Sequence, residues 1–242
     1  ETSRGLGYVY KRQLSDLAIL SQSKKEIFIL LNQGKKGFLK KPTGKWTRKN
    51  KEKINFFASA DLNRDGSDDL ILIMRGRENP KAKILYNNKK GYFYSKEKEG
   101  TYELRPGVRN VIPVDIDGDG DKDLFYFGDN LKSPKKSNNQ TMLWVNKGNG
   151  KFENLTSLLM PALPFGIRGA SFADYDGDSV VDVFLVYRKG QNRLLINNGV
   201  GKFSDRTLSS LPRILDDTMH VDWADFDQDG DNDLLVINSS VN

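Results

Sequence analysis

The sequence has no cysteine, a single histidine, and no apolar run long enough to cross a membrane as a helix. Without cysteine, the chain has no disulfide framework, no thiol nucleophile and no cysteine-ligated zinc. His220 is the only histidine, so any histidine-based catalytic triad would have to use it. We expect His220 instead to lie on the face of a strand. The abundant potential metal ligands in this sequence are therefore oxygen atoms.

Acidic residues are concentrated in a few places. Of the 32 Asp and Glu residues, 18 fall in four nine-residue segments, 61–69, 115–123, 174–182 and 225–233. The remainder of the chain is strongly basic, although the net charge is only +6. A basic surface is typical of nucleic-acid binding, but the lysines lack regular aromatic neighbours and the acidic segments would repel phosphate. We interpret the lysines as a solvated surface and expect no nucleic-acid partner.

Two motifs alternate along the chain. The first is the acidic segment, called loops 1 to 4 in chain order, whose starts are 54, 59 and 51 residues apart. The second is an apolar run that ends in Asn, followed by a glycine-rich turn and by Phe six residues after the Asn. The Asn of this second motif lies 28 or 29 positions before the next loop, and its four copies are Asn32, Asn87, Asn146 and Asn197. Two motifs that keep phase over four copies indicate a repeat protein.

Each repeat predicts four short strands. A half-apolar segment such as 56–60 precedes the loop and a β-rich run such as 70–73 follows it. The run before the Asn is the third strand, and the Phe opens the fourth. Only 155–160 has a short helical pattern. We therefore predict an all-β fold, a β-propeller of four-stranded blades with about four and a half blades present. The alternative, a calcium-binding β-helix, has a far shorter period.

The four loops have the composition of a cation-binding cage. Acidic side chains at loop positions 1, 3, 5 and 9 repel one another unless a cation lies between them. Asp at 1, 3 and 5 with Gly at 6 matches the start of the helix–loop–helix calcium site, where the backbone carbonyl of position 7 also binds the ion. Many carboxylates in an all-oxygen site favour Ca²⁺ over Mg²⁺, zinc or copper. The alternative is four Asp- and Gly-rich turns without metal.

We predict up to four calcium sites with ligands at positions 1, 3, 5, 7 and 9. The candidate ligands are Asp61, Asn63, Asp65, Ser67 and Asp69 in loop 1; Asp115, Asp117, Asp119, Asp121 and Asp123 in loop 2; Asp174, Asp176, Asp178, Val180 and Asp182 in loop 3; and Asp225, Asp227, Asp229, Asp231 and Asp233 in loop 4. Neutral Asn63 weakens loop 1, and Ser179 replaces the expected Gly at position 6 of loop 3, at a cost of about 1 kcal/mol if φ is positive there. We expect loops 2 and 4 to bind most tightly. Because every ligand is local and the cage recurs, we predict a structural metal and no catalytic residue.

The alternation of Ala-Asp-x-Asp-x-Asp-Gly-Asp-x-Asp-Leu with Asn-x-Gly-x-Gly-x-Phe resembles the FG-GAP/VCBS repeat of integrin α-subunit propellers and of many bacterial surface and secreted proteins. Segments 171–176 and 201–207 are also similar to repeats of ASPIC/UnbV-type proteins. The resemblance covers about residues 14–242. It implies a propeller, usually of about seven blades, with calcium in the loops between strands. Asn63 and Ser179 are the departures from its pattern.

Seven blades at this period would need ~400 residues, so we expect residues 14–242 to be part of a larger propeller. Near the N-terminus, Asp16 aligns with position 9 of a loop, but positions 1, 3 and 5 of that loop would be Tyr8, Tyr10 and Arg12, which make no cage. Residues 2–13 resemble the translated end of a transposon-based sequencing adapter. We therefore expect residues 1–13 to be non-native.

These features favour a non-catalytic binding or adhesion module that recognises a protein or a glycan, since propeller loops carry recognition on a rigid ring. The alternative is the propeller scaffold of a secreted carbohydrate-active enzyme such as a polysaccharide lyase, for which Tyr and Arg side chains remain available. We expect an extracellular, cell-surface or periplasmic location. Calcium there is abundant enough to fill weak sites of ~10⁻⁴–10⁻³ M affinity.

Overall fold

The structure of the protein is a computed structural model that describes residues 17–21, 26–30, 32–38, 44–47, 53–75, 79–89, 92–95, 101–128, 140–188 and 190–239. The predictions for residues 1–13 and for Asp16 lie outside these residues.

The described strands form five successive groups, called blades I to V. Blade I contains β1 (Leu17–Leu20), β2 (Glu26–Leu30) and β3 (Gly44–Thr47); blade II contains β4 (Lys53–Ala60), β5 (Asp69–Arg75), β6 (Pro80–Asn87), β7 (Phe93–Tyr94) and β8 (Thr101–Glu103); blade III contains β9 (Asn110–Val114), β10 (Asp123–Phe127), β11 (Met142–Asn146) and β12 (Phe152–Asn154); blade IV contains β13 (Ile167–Ala173), β14 (Asp182–Tyr187), β16 (Arg193–Asn197) and β17 (Phe203–Asp205); and blade V contains β19 (Thr218–Ala224) and β20 (Asp233–Asn238). Outside the blades, β15 (Gly190–Gln191) pairs with β18 (Leu215–Asp216). Two helical turns, α1 (Thr156–Leu159) and α2 (Thr207–Ser210), follow blades III and IV, and a 3-10 turn spans Gly34–Lys36.

Each blade is an antiparallel sheet in which strands adjacent in sequence lie side by side. The orders are β4-β5-β6-β7 in blade II, β9-β10-β11-β12 in blade III and β13-β14-β16-β17 in blade IV, with β8 also paired to β6. Within the described residues, blade I has three strands and blade V has two. The predicted all-β architecture of four-stranded blades is confirmed.

The second strand of each complete blade is buried on both faces, which explains its uninterrupted apolar run. In β10, Leu124 and Tyr126 pack into one cluster with Ile71 of blade II, whereas Phe125 and Phe127 pack into another cluster with blade IV. Side chains alternate between the two faces of a strand, so each β10 residue belongs to one blade interface. The equivalent strands β5 and β14 divide their side chains in the same way.

In blades III and IV the repeated Asn links the blade to the loop of the preceding one. The Asn146 side-chain amide donates to the Leu62 carbonyl at 2.9 Å, and that of Asn197 donates to the Ile116 carbonyl at 2.7 Å. Both Asn side chains are fully buried. Since Leu62 and Ile116 are position 2 of loops 1 and 2, this contact requires the Asn and the loop to keep phase along the chain.

A helical turn after the fourth strand is a further element that blades III and IV share. α1 lies inside the segment 155–160 for which a short helix was predicted, but α2 was not predicted. In both turns a buried Thr hydroxyl accepts a backbone N–H from the third strand: Thr156 from Leu143 at 2.9 Å, and Thr207 from Leu194 at 3.1 Å. A tertiary contact therefore holds α2, whose two serines have poor helix propensity.

We predict that Asn197→Ala destabilises the protein by about 2 kcal/mol, because it leaves the buried Ile116 carbonyl without its donor. The matched control is Asn198→Ala, since exposed Asn198 accepts backbone N–H groups only within its own turn. That control should cost less than about 1 kcal/mol. Urea unfolding measures the stability of both variants. Equal losses of stability would contradict a stabilising contact between Asn197 and the preceding loop.

Candidate metal centre

The four acidic loops occupy equivalent places in the fold. Each joins the first strand of a blade to the second: loop 1 in blade II, loop 2 in blade III, loop 3 in blade IV and loop 4 in blade V. In every case the second strand begins at position 9 of the loop. The aspartates are therefore held where one strand ends and the next begins.

The same two side chain to backbone hydrogen bonds close all four loops. The Asp at position 1 accepts the N–H of position 6: Gly66 to Asp61 at 2.7 Å, Gly120 to Asp115 at 2.9 Å, Ser179 to Asp174 at 2.8 Å and Gly230 to Asp225 at 3.2 Å. The Asp at position 9 accepts the N–H of position 2: Leu62 to Asp69 at 3.2 Å, Ile116 to Asp123 at 2.9 Å, Tyr175 to Asp182 at 3.1 Å and Phe226 to Asp233 at 3.0 Å. The loop geometry therefore depends on Asp at both positions.

Two positions of every loop have a left-handed backbone. Position 6 has positive φ as expected: 84° at Gly66, 85° at Gly120, 68° at Ser179 and 99° at Gly230. Position 4 also has positive φ, which the sequence analysis did not predict: 56° at Arg64, 73° at Gly118, 78° at Gly177 and 64° at Gln228. Loop 2 alone among the four has glycine at both positions, so its backbone carries the least strain.

Three of the four loops gather acidic side chains closely enough to hold one ion. Carboxylate oxygens lie within 4.8 Å of one another in these groups: Asp115, Asp117 and Asp123; Asp174, Asp176 and Asp182; and Asp225, Asp227 and Asp229. Asp233 lies outside the loop 4 group. In loop 1, where Asn63 replaces the acid at position 3, the described side chains form no such group of three.

Positions 5 and 7 contribute differently from the other predicted ligands. The N–H of position 7 donates to the carboxylate at position 5: Ser67 to Asp65 at 3.0 Å, Asp121 to Asp119 at 2.8 Å, Val180 to Asp178 at 2.8 Å and Asp231 to Asp229 at 2.9 Å. This bond shapes the second half of the loop. The roles of all the predicted ligands, those at positions 1, 3 and 9 as well as those at positions 5 and 7, stay predictions.

The Asp at position 9 is buried in blades II to IV. Its second oxygen accepts the N–H of the repeated Asn at 2.8 Å in each case: Asn87 to Asp69, Asn146 to Asp123 and Asn197 to Asp182. Burial, followed by repulsion from neighbouring aspartates, raises the pKa of Asp69 and of Asp123 to about 6 and raises that of Asp182. Neutralisation by a cation would relieve this penalty.

Loop 2 fits a cation best. Asp115 Oδ1 and Asp117 Oδ1 are buried and have no hydrogen-bond donor among the described residues. Burial raises the pKa of Asp117, and the charge of Asp119 raises it further. Buried carboxylate oxygens without donors are costly unless a metal accepts their charge. With Asp123 beside them, Asp115 and Asp117 offer the all-oxygen set that calcium binds.

A family model described as FG-GAP-like repeat matches the chain three times, over residues 61–126, 135–185 and 174–236. Each match contains at least one acidic loop and the beginning of the strand after it. The chain belongs to the FG-GAP-like repeat family. No curated protein matches it. FG-GAP repeats fit a β-propeller, so the predicted family and fold class are both confirmed, while the VCBS and ASPIC/UnbV resemblances stay predictions.

The FG-GAP-like chain also has a basic cavity away from the acidic loops. A cavity of about 760 Å³ on blade IV is lined by Arg193, Arg206 and Arg213, with Leu208 and Leu215 among its apolar contacts. Both leucines are largely exposed. The sequence does not predict this cavity, because Arg193 lies in β16 whereas Arg206 and Arg213 lie before and after α2, and no local pattern indicates that these segments converge.

One of these arginines has an acidic partner. Arg193 forms an ion pair with Asp205. Burial opposes ionisation of Asp205, but hydrogen bonds from Thr207 and Arg193 outweigh it and lower the pKa of Asp205. Arg206 and Arg213 have no ion pair with another described residue, so the cavity wall carries a net positive charge.

No helix in the part of the chain that the structure describes is long and apolar enough to span a membrane.

We predict that Ser179→Gly stabilises the protein by about 1 kcal/mol, because position 6 of loop 3 has a φ of 68° that glycine adopts without a steric penalty. Ser67→Gly, at position 7 of loop 1 where φ is not positive, is the control and should destabilise by about 0.5–1 kcal/mol. Thermal unfolding in chelator measures both. A loss of stability in Ser179→Gly would contradict the conformational argument.

We predict that the chelated protein becomes more stable as pH falls from 7 to 5. Asp69 and Asp123 have pKa values of about 6 when folded against 3.8 ordinarily, so the folded state binds more protons in this window and unfolding becomes less favourable. Calcium and protons compete for the same oxygens, so the rise in Tm caused by calcium should shrink over the same range. A chelated Tm that falls steadily from pH 7 to 5 would contradict this assignment.

Proposed function

We propose that this FG-GAP-like propeller is a calcium-stabilised, non-catalytic binding module that acts outside the cell and recognises a protein or glycan ligand. The observation that carries the calcium part is the grouping of Asp115, Asp117 and Asp123, with two buried oxygens that have no hydrogen-bond donor among the described residues. All the candidate ligands lie within one loop, and the arrangement recurs in successive blades. A recurring local cage supports a structural role for the ion.

The proposed calcium sites support a location outside the cell. The loops are short and partly exposed, and loops 1, 3 and 4 each hold one non-glycine residue in the left-handed region. Weak sites of ~10⁻⁴–10⁻³ M are typical of extracellular modules, where calcium is abundant. We therefore place the protein at the cell surface, in the periplasm or in the extracellular medium.

The basic cavity on blade IV supports an anionic ligand. Arg206 and Arg213 offer guanidinium groups without ion-pair partners among the described residues, and Arg193 adds a third that Asp205 partly neutralises. Guanidinium groups bind carboxylates and sulfates through paired hydrogen bonds. The exposed Leu208 and Leu215 add apolar surface beside them. An acidic glycan, with charged groups on a largely apolar ring face, suits this combination.

The second candidate function, a lyase scaffold, is favoured by the Tyr and Arg side chains that meet in blade IV. Tyr187 interacts electrostatically with Arg193 and Asp205. Its hydroxyl is buried, however, and burial raises its pKa far above the ordinary value, which makes it a poor general base. Incubation with acidic polysaccharides separates the two functions: binding without new chain ends supports the module, and chain cleavage supports the lyase.

We predict that calcium raises Tm relative to chelator and that this rise depends most on loops 2 and 4. Asp115→Asn and Asp225→Asn should reduce the calcium-dependent rise more than Asp61→Asn or Asp174→Asn. Each substitution keeps an oxygen for the position 6 N–H and removes one charge, and comparing each variant with itself in chelator cancels its effect on folding. If Asp174→Asn caused the largest reduction, the predicted order of affinities would be wrong.

We predict that Arg206→Gln combined with Arg213→Gln weakens binding to an acidic polysaccharide such as polygalacturonate by roughly ten-fold or more at low salt. The control is Lys151→Gln with Lys202→Gln, which removes the same charge from two exposed residues of other turns. Biolayer interferometry measures both. Equal weakening by the two pairs would show that net charge alone, and not the cavity, governs binding.

A further inference from the structure

Arg64 belongs to loop 1 but reaches into loop 2. Its Nε lies 2.6 Å from Asp121 Oδ1, and its Nη2 donates to the backbone carbonyl of Asp119 and lies 3.8 Å from Asp119 Oδ1. A Cβ at Gly120 would lie only 2.8 Å from this Nη2, so glycine there makes room for the guanidinium. One side chain therefore joins the loops of blades II and III.

This contact separates the carboxylates of loop 2 into two groups. Asp115, Asp117 and Asp123 face one another and form the candidate calcium group, whereas Asp119 and Asp121 face Arg64. The Asp121 side chain is only 7% exposed. A carboxylate buried to that degree needs a cation beside it, and Arg64 is the cation that the described residues provide.

Position 4 of the other loops offers no such charge. The corresponding residues are Gly118, Gly177 and Gln228. Between loops 3 and 4, the Asn232 amide donates to the Asp174 carbonyl at 3.3 Å, which is a neutral contact. The ionic connection is thus specific to loops 1 and 2, and the left-handed φ of 56° at Arg64 is retained in spite of its steric cost.

We propose that Arg64 is a resident cation of loop 2 that holds blades II and III together in the metal-free protein and lowers the calcium affinity of loop 2. This inference rests on the calcium binding proposed above. Arg64 lessens the repulsion among the loop 2 carboxylates when calcium is absent, and its charge repels the incoming ion. Because coupling between two binding events is reciprocal, calcium in loop 2 weakens the hold of Arg64 on that loop.

The test substitution is Arg64→Gln, for which the chain supplies its own precedent. Gln228 occupies the same position of loop 4 with a φ of 64°, so glutamine is compatible with this backbone conformation. Arg64→Lys is the companion variant because it keeps the charge and loses the planar fork that contacts Asp119 and Asp121 together.

The readout is the amide NMR signal at position 6, followed through a calcium titration of the whole chain. Gly120 reports on loop 2, and Gly230 reports on loop 4, which Arg64 does not contact. In Arg64→Gln we expect the Gly120 midpoint to move to about three- to ten-fold lower calcium, with the Gly230 midpoint unchanged. We also expect Tm in chelator to fall by about 3 °C or more. Arg64→Lys should keep the Gly120 midpoint near that of the parent protein.

The titration separates failure of the proposed calcium binding from failure of the proposed role of Arg64. If neither Gly120 nor Gly230 responds to calcium in the parent protein, the proposed function fails. If both respond but Arg64→Gln leaves the Gly120 midpoint unchanged or moves it to higher calcium, the proposal for Arg64 is overturned. If Arg64→Lys moves the midpoint as far as Arg64→Gln does, the charge of Arg64 is not the cause and the proposal is likewise overturned.

Discussion

The mutual repulsion of clustered aspartates is the constraint on which the blades depend. In loops 2, 3 and 4, carboxylate oxygens lie within a few ångströms of one another, and the Asp at position 9 is buried in the complete blades. That carboxylate cannot simply be removed, because it accepts N–H groups from its own loop and from the third strand. The proposed calcium ion would let the same side chains organise three backbone segments without the cost of like charges in a poorly solvated place.

The loops also lie at the boundaries between blades. Asn146 binds the carbonyl of Leu62 in the preceding loop, and Arg64 reaches forward from loop 1 to loop 2. The stability of a repeat array is the sum of its units and of the interfaces between neighbours. If calcium binds as proposed, an ion in one loop acts on two blades and stabilises the junction between them. A rigid array of this kind would hold the proposed ligand site, the blade IV cavity, in fixed geometry.

Much of the fold could be predicted from the sequence, because its two motifs report directly on backbone geometry. The apolar runs gave the second strands, and positive φ at Ser179 follows from the glycines at the same position of the other loops. The positive φ at position 4 was harder to predict, since Gly118 and Gly177 occupy this position in two loops but Arg64 and Gln228 occupy it in the other two.

Contacts between segments distant in sequence were beyond the reach of pattern analysis. The amide of Asn197 and the carbonyl of Ile116 are 81 residues apart. Helical turn α2 depends on Thr207 accepting the Leu194 N–H, and the cavity arginines come together from β16 and from the two sides of α2. Local propensity carries no information on such contacts, because tertiary packing overrides it.

The most direct test of the central claim is a crystal structure of the protein grown in calcium-rich buffer, with anomalous scattering used to identify the ion. The account predicts a calcium peak in loop 2 with oxygens of Asp115, Asp117 and Asp123 about 2.3–2.6 Å away. Loop 2 with ordered aspartates and no ion, under conditions where calcium is in large excess, would contradict it.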